Sequence, residues 1–405
     1  MRLNTGDGKM EGTQETKNIG LRGVVIADTR ISLVEGDEGR LVYRGYDINE
    51  LAKYSTFEET VYLLHQGDLP NKQALEDFSR RMADARELPP GIIEILQRLP
   101  KSTHPMDVLQ STLAALAGYD SKARDKSKEA NVETAIKIIA KTPTIVAYWD
   151  RIRKGLDLKK PKQNLSHAAN FLYMLNGEEP DDETANELDI CLILHADHSF
   201  NASTFAAREV TSTRAHMYAS ISAGTGALSG ELHGGANAKV MEMLQGIDDI
   251  GAVDEWVKAR FDAHERIMGM GHAVYRTTDP RSTILAEMSE RLGKRKGEPR
   301  WYEISKRIEE ATREEFRNRK GGEIYPNVDL YSASVYYLMG IDSDLFTPIF
   351  AISRVAGWCA HVIEEKFAEA QPKPALYRPE STYVGEYCGL TGCKYVPIGE
   401  RSEET

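Results

Sequence analysis

A chain of 405 residues, 41% hydrophobic and 28% charged, has the material for two domains and a large core. Its formal net charge of -11 disfavours non-specific nucleic-acid binding, and no long basic run with interleaved aromatics is present. An acidic chain that handles anions must gather its cations in a pocket, so the positions of single arginines are more informative than their total.

The first residues, Met1 to Asn18, are polar and carry Asp7, Glu11 and Glu15. They have neither the apolar stretch of a signal peptide nor the acid-poor makeup of a transit peptide, so a fraying tail in a cytoplasmic protein is expected. No run of about eighteen apolar residues is seen, and no membrane-spanning helix is expected. Val24-Val25-Ile26 and Arg40-Leu41-Val42-Tyr43 flank the turn-rich Glu35–Gly39, which predicts a small hairpin. After it helices dominate. Ser55-x-x-Glu58 and Thr56-x-x-Glu59 are overlapping capping boxes for a helix ended by Gly67 and Pro70. Further helices are read from Asn71, over 106–119, 134–153, 166–175 and 181–195, and over the small-residue stretch Met217–Leu228. The charged helices 253–268, 282–292 and 302–318 form a more polar block before apolar character returns at 335–339 and 345–358. This order predicts a smaller domain inserted into a larger helical one: 19–228 and 336–405 forming the large domain, 229–335 the small one.

Four cysteines, Cys191, Cys359, Cys388 and Cys393, are too few and scattered for a disulfide framework. Cys388 and Cys393 form a C-x4-C without the second pair that a structural zinc wants, so reduced thiols are expected.

Chemistry concentrates in a few stretches. Ser229-Gly-Glu-Leu-His-Gly-Gly-Ala-Asn-Ala-Lys-Val240 sets His233 against two glycines ahead of a helix, where backbone can come close and free N–H groups face polarised oxygens. His195-Ala-Asp-His198 ends an apolar helix with two histidines on one face, which fits core packing, a hydrogen-bond donor or part of a metal site. Gly269-Met-Gly-His-Ala-Val-Tyr-Arg-Thr-Thr-Asp-Pro-Arg281 brings His272, Arg276 and Arg281 around a rigid turn, and Arg281 is able to clamp a carboxylate bidentately. Asp329, between Val328 and Leu330, is either a helix cap or a base with a raised pKa. Arg354 sits inside the apolar run 349–358 and needs an anionic partner.

The ordered set resembles the citrate synthase family from Gly20 to about Pro397. The residues that carry the resemblance are Gly20-Leu-Arg-Gly-Val-Val, Tyr43-Arg-Gly-Tyr-Asp-Ile48, Leu194-His-Ala-Asp-His198, Leu232-His-Gly-Gly-Ala-Asn237, Gly271-His-Ala-Val, Asp279-Pro-Arg281, Asn327-Val-Asp329 and Arg378-Pro. The resemblance implies a mainly α, multi-helical homodimer whose large and small domains close over a cleft. It implies condensation of acetyl-CoA with oxaloacetate, then hydrolysis of the citryl thioester. It assigns Asp329 as the base, His233 as the donor to the enolate oxygen and His272 as the group polarising the ketone. His198, Arg281 and Arg354 become carboxylate and carbonyl binders, and Arg378 is the arginine contributed from the partner subunit along a C-terminal arm. Arg276 and the backbone of Met268, Gly269, Met270 and Gly271 are implied contacts of CoA. No metal and no cofactor beyond the CoA thioester is implied.

Two positions depart from the family pattern. Ala273 stands where many relatives carry arginine, and Ser199 where an acidic residue is frequent. The same machinery serves 2-methylcitrate synthases, which use propionyl-CoA, and one methylene is worth only about 1–3 kcal/mol in a pocket. Readings of other classes are a metal-dependent hydrolase built on His195, His198 and His233, and a non-catalytic helical scaffold.

Overall fold

The computed structural model describes residues 18–21, 23–385, 393 and 395–401. The tail before residue 18 and Cys388 lie outside them. Three short strands, β1 (Ser32–Glu35), β2 (Arg40–Tyr43) and β3 (Tyr46–Asp47), pair antiparallel in that order, with Ser32 opposite Tyr43 and Glu35 opposite Arg40. The hairpin turn falls where expected, but Val24–Ile26 is not its first strand. A turn this tight pairs the residues that border it, so the partner must be Ser32–Glu35, and Val25 stays 86% exposed.

Helices make up the rest, most of them opened by a polar cap. α1 (Ile48–Tyr54), α2 (Phe57–Gln66) and α3 (Lys72–Asp84) begin on the side chains of Asp47, Thr56 and Asn71. Of the two overlapping capping candidates, Thr56 is the cap, while the Glu59 side chain accepts from Ser55 Oγ instead of closing the box. Thr56 accepts from the Glu59 N–H, while Glu58 is buried and accepts from His167 N–H at 2.7 Å. α4 (Pro90–Arg98) and α5 (Pro105–Ala115) place proline in the first turn, where its missing N–H costs nothing. α6 (Lys128–Lys154) starts earlier than its apolar periodicity, because Ser127 caps the charged turn ahead of it. α7 (His167–Asn176), α8 (Asp182–His195), α9 (Ala202–Ser212) and α10 (Met217–Leu228) follow, capped by Ser166, Asp181, Asn201 and His216.

Next come α11 (Ala236–Gln245), α12 (Val253–Asp262), α13 (Pro280–Lys296), α14 (Arg300–Lys320) and α15 (Val328–Leu338), which pack largely on one another. α12 stops short of Met268: the chain turns at His264 and Gly269, both at positive φ.

The last long helix, α16 (Phe346–Lys366), is buried from Phe346 to Glu365 and packs against α2, α5, α6, α8, α9 and α10. Taken with its preceding turn, Ser343–Lys366 is long and apolar enough to cross a membrane by length and composition, which the sequence reading did not anticipate. Its apolar window is wholly buried in the fold, so that character serves the core.

A glycine in the middle of α16 is costly to helix stability unless something demands it. Gly357 answers a contact: a Cβ there would lie 2.3 Å from the Ala196 carbonyl and 2.4 Å from Asp197 Oδ1. The close approach seats the 196–198 segment on the helix. Gly357→Ala is therefore expected to lower stability by about 1–3 kcal/mol through overpacking, despite alanine's better helix propensity. A thermal melt in which the variant matches or exceeds the wild type would refute the contact.

Candidate active site

His233 lies on the turn between α10 and α11. Its Nε2 accepts from the Ser203 backbone N–H at 3.2 Å and sits 2.8 Å from Ser203 Oγ, which in turn accepts from Trp358 Nε1. A ring nitrogen that accepts a backbone N–H carries no proton, so the neutral ring holds its proton on Nδ1. The following glycine is required by its own chain. A Cβ on Gly234 would fall 2.3 Å from the Leu228 carbonyl, to which the Gly234 N–H donates at 3.0 Å. α11 then begins at Gly235 with no side-chain cap, leaving its first N–H groups free of one.

His272 follows Gly271, whose φ of 84° is in the left-handed region. Its Nδ1 accepts from the N–H groups of Val274 and Tyr275, each at 3.0 Å, which leaves Nε2–H as the donor. His198 is buried just beyond α8, with its ring edge-on to His272 at 5.5 Å and its Nε2 3.2 Å from Tyr275 Oη. All three histidines are held neutral. Burial, then Arg354, lowers His233 to about 4; burial, then Arg281, lowers His272 to about 4; burial and both arginines hold His198 well below the usual range.

Arg281 opens α13, where Asp279 is the N-cap. The fork that the sequence offered to a ligand carboxylate is already taken, because Nε and Nη2 donate to the two Asp279 oxygens at 2.9 and 2.6 Å. Only the remaining N–H groups are left to face a ligand. Arg354 differs. It is 1% exposed, its Nε donates to the His195 carbonyl at 2.7 Å, and its guanidinium lies 4.7 Å from the Phe350 ring centroid. Among the described residues it forms no ion pair, and burial lowers it to about 10 against the attraction of Asp197.

Asp329 is not the cap of α15. Asn327 takes that role, its Oδ1 accepting from the Asp329 N–H at 2.9 Å. The carboxyl is half-buried and is pushed up to about 7, by burial first and with Asp279 adding to it, while Arg281 and Arg354 pull the other way. Asn327 also donates through Nδ2 to the Gly271 carbonyl, and its N–H donates to the Gly269 carbonyl, both at 2.9 Å. One asparagine thus ties the base to the His272 loop.

Beside this cluster a cavity of about 330 Å³ is lined by Met268, Gly269, Met270, Phe316, Ile324 and Asn327, with Arg266 as its arginine. Arg276 is not there. It is exposed, and its backbone N–H donates to Gly36 in the β1–β2 turn. Arg378 too is exposed within one chain.

The structure therefore brings His198, His233, His272, Arg281, Arg354 and Asp329 into one electrostatic neighbourhood. Sequence reasoning gave no role to Ser203, Tyr275, Asn327 or Arg266, although Tyr275 and Asn327 stand inside stretches it singled out. His195 stays out of the site, with Nδ1 on the Cys191 carbonyl and its ring against Phe350. No group of three or more potential ligands is placed to hold a metal among the described residues, which removes the hydrolase reading's basis. Cys191 and Cys359 are free and buried, whereas Cys393 is disulfide-bonded, against the expectation of reduced thiols throughout.

The model described as "Citrate synthase, C-terminal domain" matches residues 20–380. The chain belongs to the citrate synthase family. The citrate synthase of Haloferax volcanii is 45% identical over 387 residues, covering 94% of this chain and 98% of that one. A 2-methylcitrate synthase of Mycobacterium tuberculosis is 40% identical over 366 residues, 90% of each chain. Among solved structures, the citrate synthase of Pyrobaculum aerophilum superposes with a TM-score of 0.87 at 39% identity, covering 98% of this chain and 100% of that one. The citrate synthase of Thermoplasma acidophilum, solved as a ternary complex with carboxymethyl coenzyme A and oxaloacetate, gives 0.86 at 33% identity, covering 94% of this chain and 98% of that one.

The raised carboxyl carries a stability signature. The unfolded chain loses the Asp329 proton near pH 4 and the folded one near pH 7, so folding is progressively penalised as pH rises between them. Asp329→Asn is expected to raise the melting temperature at pH 8, with a smaller gain at pH 5. Equal melting at pH 8 would mean that the carboxyl is not strained by burial.

Proposed function

We propose that the chain condenses acetyl-CoA with oxaloacetate and hydrolyses the resulting citryl-CoA to citrate and CoA. The observation that carries this reading is Arg354, a buried cation with no ion pair, beside Arg281 and next to a carboxyl group poised near neutrality. Such a cation calls for a bound anion. Oxaloacetate supplies two carboxylates, and the partner subunit's Arg378 would complete their neutralisation in a homodimer.

Asp329 removes a methyl proton from the thioester while His233 Nδ1–H donates to the thioester oxygen as enol character develops. His272 Nε2–H polarises the ketone of oxaloacetate. The methyl carbon forms its bond to the ketone carbon, and the carbonyl π pair moves to oxygen, which takes up a proton to become the hydroxyl of citryl-CoA. Water then adds to the acyl carbon, the acyl–sulfur bond breaks, and CoA leaves as the thiol. Every step is acid–base chemistry, so no metal or redox cofactor enters it. The cavity lined by Met268–Met270 would take the adenine end of CoA, with Arg266 in the phosphate-binding role first given to Arg276. Residues 229–335 would act as the small domain closing over the large one. Acetyl is preferred over propionyl because the citrate synthases reach higher identity than the 2-methylcitrate synthases.

Oxaloacetate-dependent thiol release from acetyl-CoA tests the reading. Its absence would sink the proposal, and a higher kcat/KM for propionyl-CoA would reassign the acyl group. His233→Ala is expected to lower kcat by about 10²–10³-fold, as for loss of one oxyanion donor. The kcat/KM profile should fall on its acid side with an apparent pKa about 7, set by Asp329. A profile flat between pH 6 and 8 would argue against Asp329 as the base.

A further inference from the structure

α16 meets the segment ahead of His198 along one face. Arg354, Gly357 and His361 follow one another at helical spacing, so they lie one above the next on the helix. Each meets a successive residue of that segment. Arg354 Nε donates to the His195 carbonyl at 2.7 Å, the Gly357 N–H donates to the Ala196 carbonyl at 3.1 Å, and His361 Nε2 stands 3.2 Å from Asp197 Oδ1. Arg354 and Gly357 have their reasons already, a ligand anion and a close approach. His361 is fully buried, and none of the chemistry uses it.

Its surroundings fix its tautomer. Nδ1 faces Arg208 Nη1 at 3.1 Å, and a guanidinium only donates, so Nδ1 accepts and the ring proton is on Nε2, toward Asp197. Asp197 accepts the Ser199 N–H at 2.9 Å and the Ser32 hydroxyl, so its carboxylate brackets the backbone of His198. On the other side of the ring Arg208, also fully buried, donates to Glu364 at 2.8 Å and to Glu365 at 2.6 Å. The same Glu365 oxygen accepts the Tyr377 hydroxyl at 2.5 Å, and Arg378 is the next residue. A chain of hydrogen bonds therefore runs through the interior from the residue before His198 to the residue before Arg378. A member that shifts leaves its neighbour's charge unpaired in a dry interior, so displacement at one end is resisted at the other.

We infer that His361 is a positioning residue: with Arg208 it locks the backbone that presents His198 to the segment that presents Arg378. In a homodimer this ties one protomer's site to the arm that completes its partner's. The purpose of the link rests on the function proposed above, in which His198 and Arg378 both serve oxaloacetate; the link itself does not.

Two variants test it. Tyr377→Phe removes only the hydroxyl at one end. His361→Asn removes the reach to Asp197 in the middle, since an asparagine amide stops at the Nδ1 position and still accepts from Arg208. Hydrogen exchange followed by mass spectrometry on the full-length protein reads the link without the reaction. Tyr377→Phe is expected to speed exchange at residues 197–199 about tenfold, as loss of one hydrogen bond to a carboxylate implies. Unchanged exchange there would overturn the link.

Kinetics reads its purpose. Each variant is expected to raise the oxaloacetate KM about tenfold while kcat and the acetyl-CoA KM stay within about twofold, a split that general loosening of the fold would not give. The double variant is expected to stay at about tenfold, because links in series break once. Effects that multiply to about a hundredfold, or an equal fall in kcat, would overturn the positioning role. Tyr377→Phe, at a half-buried side chain, keeps the exchange and KM readings available if His361→Asn does not fold. A protein whose exchange responds but which releases no thiol would keep the link and lose the proposed function.

Discussion

Arg354 sits in α16, a helix buried almost throughout, charged and, among the described residues, with no carboxylate paired to it. Taking a guanidinium out of water costs several kcal/mol unless an opposite charge follows it. Here a backbone carbonyl and an aromatic face meet it in part, and the rest is left for a ligand. Arg281 is the contrasting case beside it, tied by two hydrogen bonds to Asp279 and so fixed as a rigid cation. One arginine is held in place and the other is left in electrostatic debt. Burial first keeps His198, His233 and His272 neutral, and the arginines add to it, Arg354 at His233, Arg281 at His272 and both at His198, because a proton there would add like charge.

The scaffold serves that arrangement through close contacts. Gly357 lets α16 touch the backbone of Ala196 and Asp197, which places His198 and brings the His195 carbonyl to Arg354. Gly234 does the same at the His233 turn, where the Leu228 carbonyl would meet any Cβ. Asn327 joins the His272 loop to the helix that bears Asp329. The neutral rings have fixed tautomers as a result: backbone N–H groups occupy Nε2 of His233 and Nδ1 of His272, and the opposite nitrogen of each is the donor. Preorganised donors of this kind stabilise developing negative charge without reorganising at the moment of reaction.

Much of this was legible in the sequence, for physical reasons that can be named. Helical periodicity and capping residues locate α8 and α10 nearly to the residue, since both are local properties. The buried arginine was visible as a charge inside an apolar run. Asp329 was ambiguous between cap and base, and only the position of Asn327 two residues earlier decides it, through a hydrogen bond that residue type alone does not specify. The first strand was misplaced because β-pairing is set by the turn rather than by the most apolar triplet. Arg281 read as a free clamp because its consumption by Asp279 is a matter of geometry, although the two are neighbours in the chain. Arg276 and Arg266 differ in role for the same reason: charge is readable from sequence, and which wall it lines is not.

The central claim is that Arg354 is left unpaired to receive the anionic substrate. The most direct measurement is the shift in melting temperature produced by oxaloacetate in wild type and in Arg354→Met, a change that keeps an unbranched, apolar-compatible side chain in the helix. The account predicts a clear upward shift for wild type and none for the variant at the same oxaloacetate concentration. An equal shift in both would contradict it.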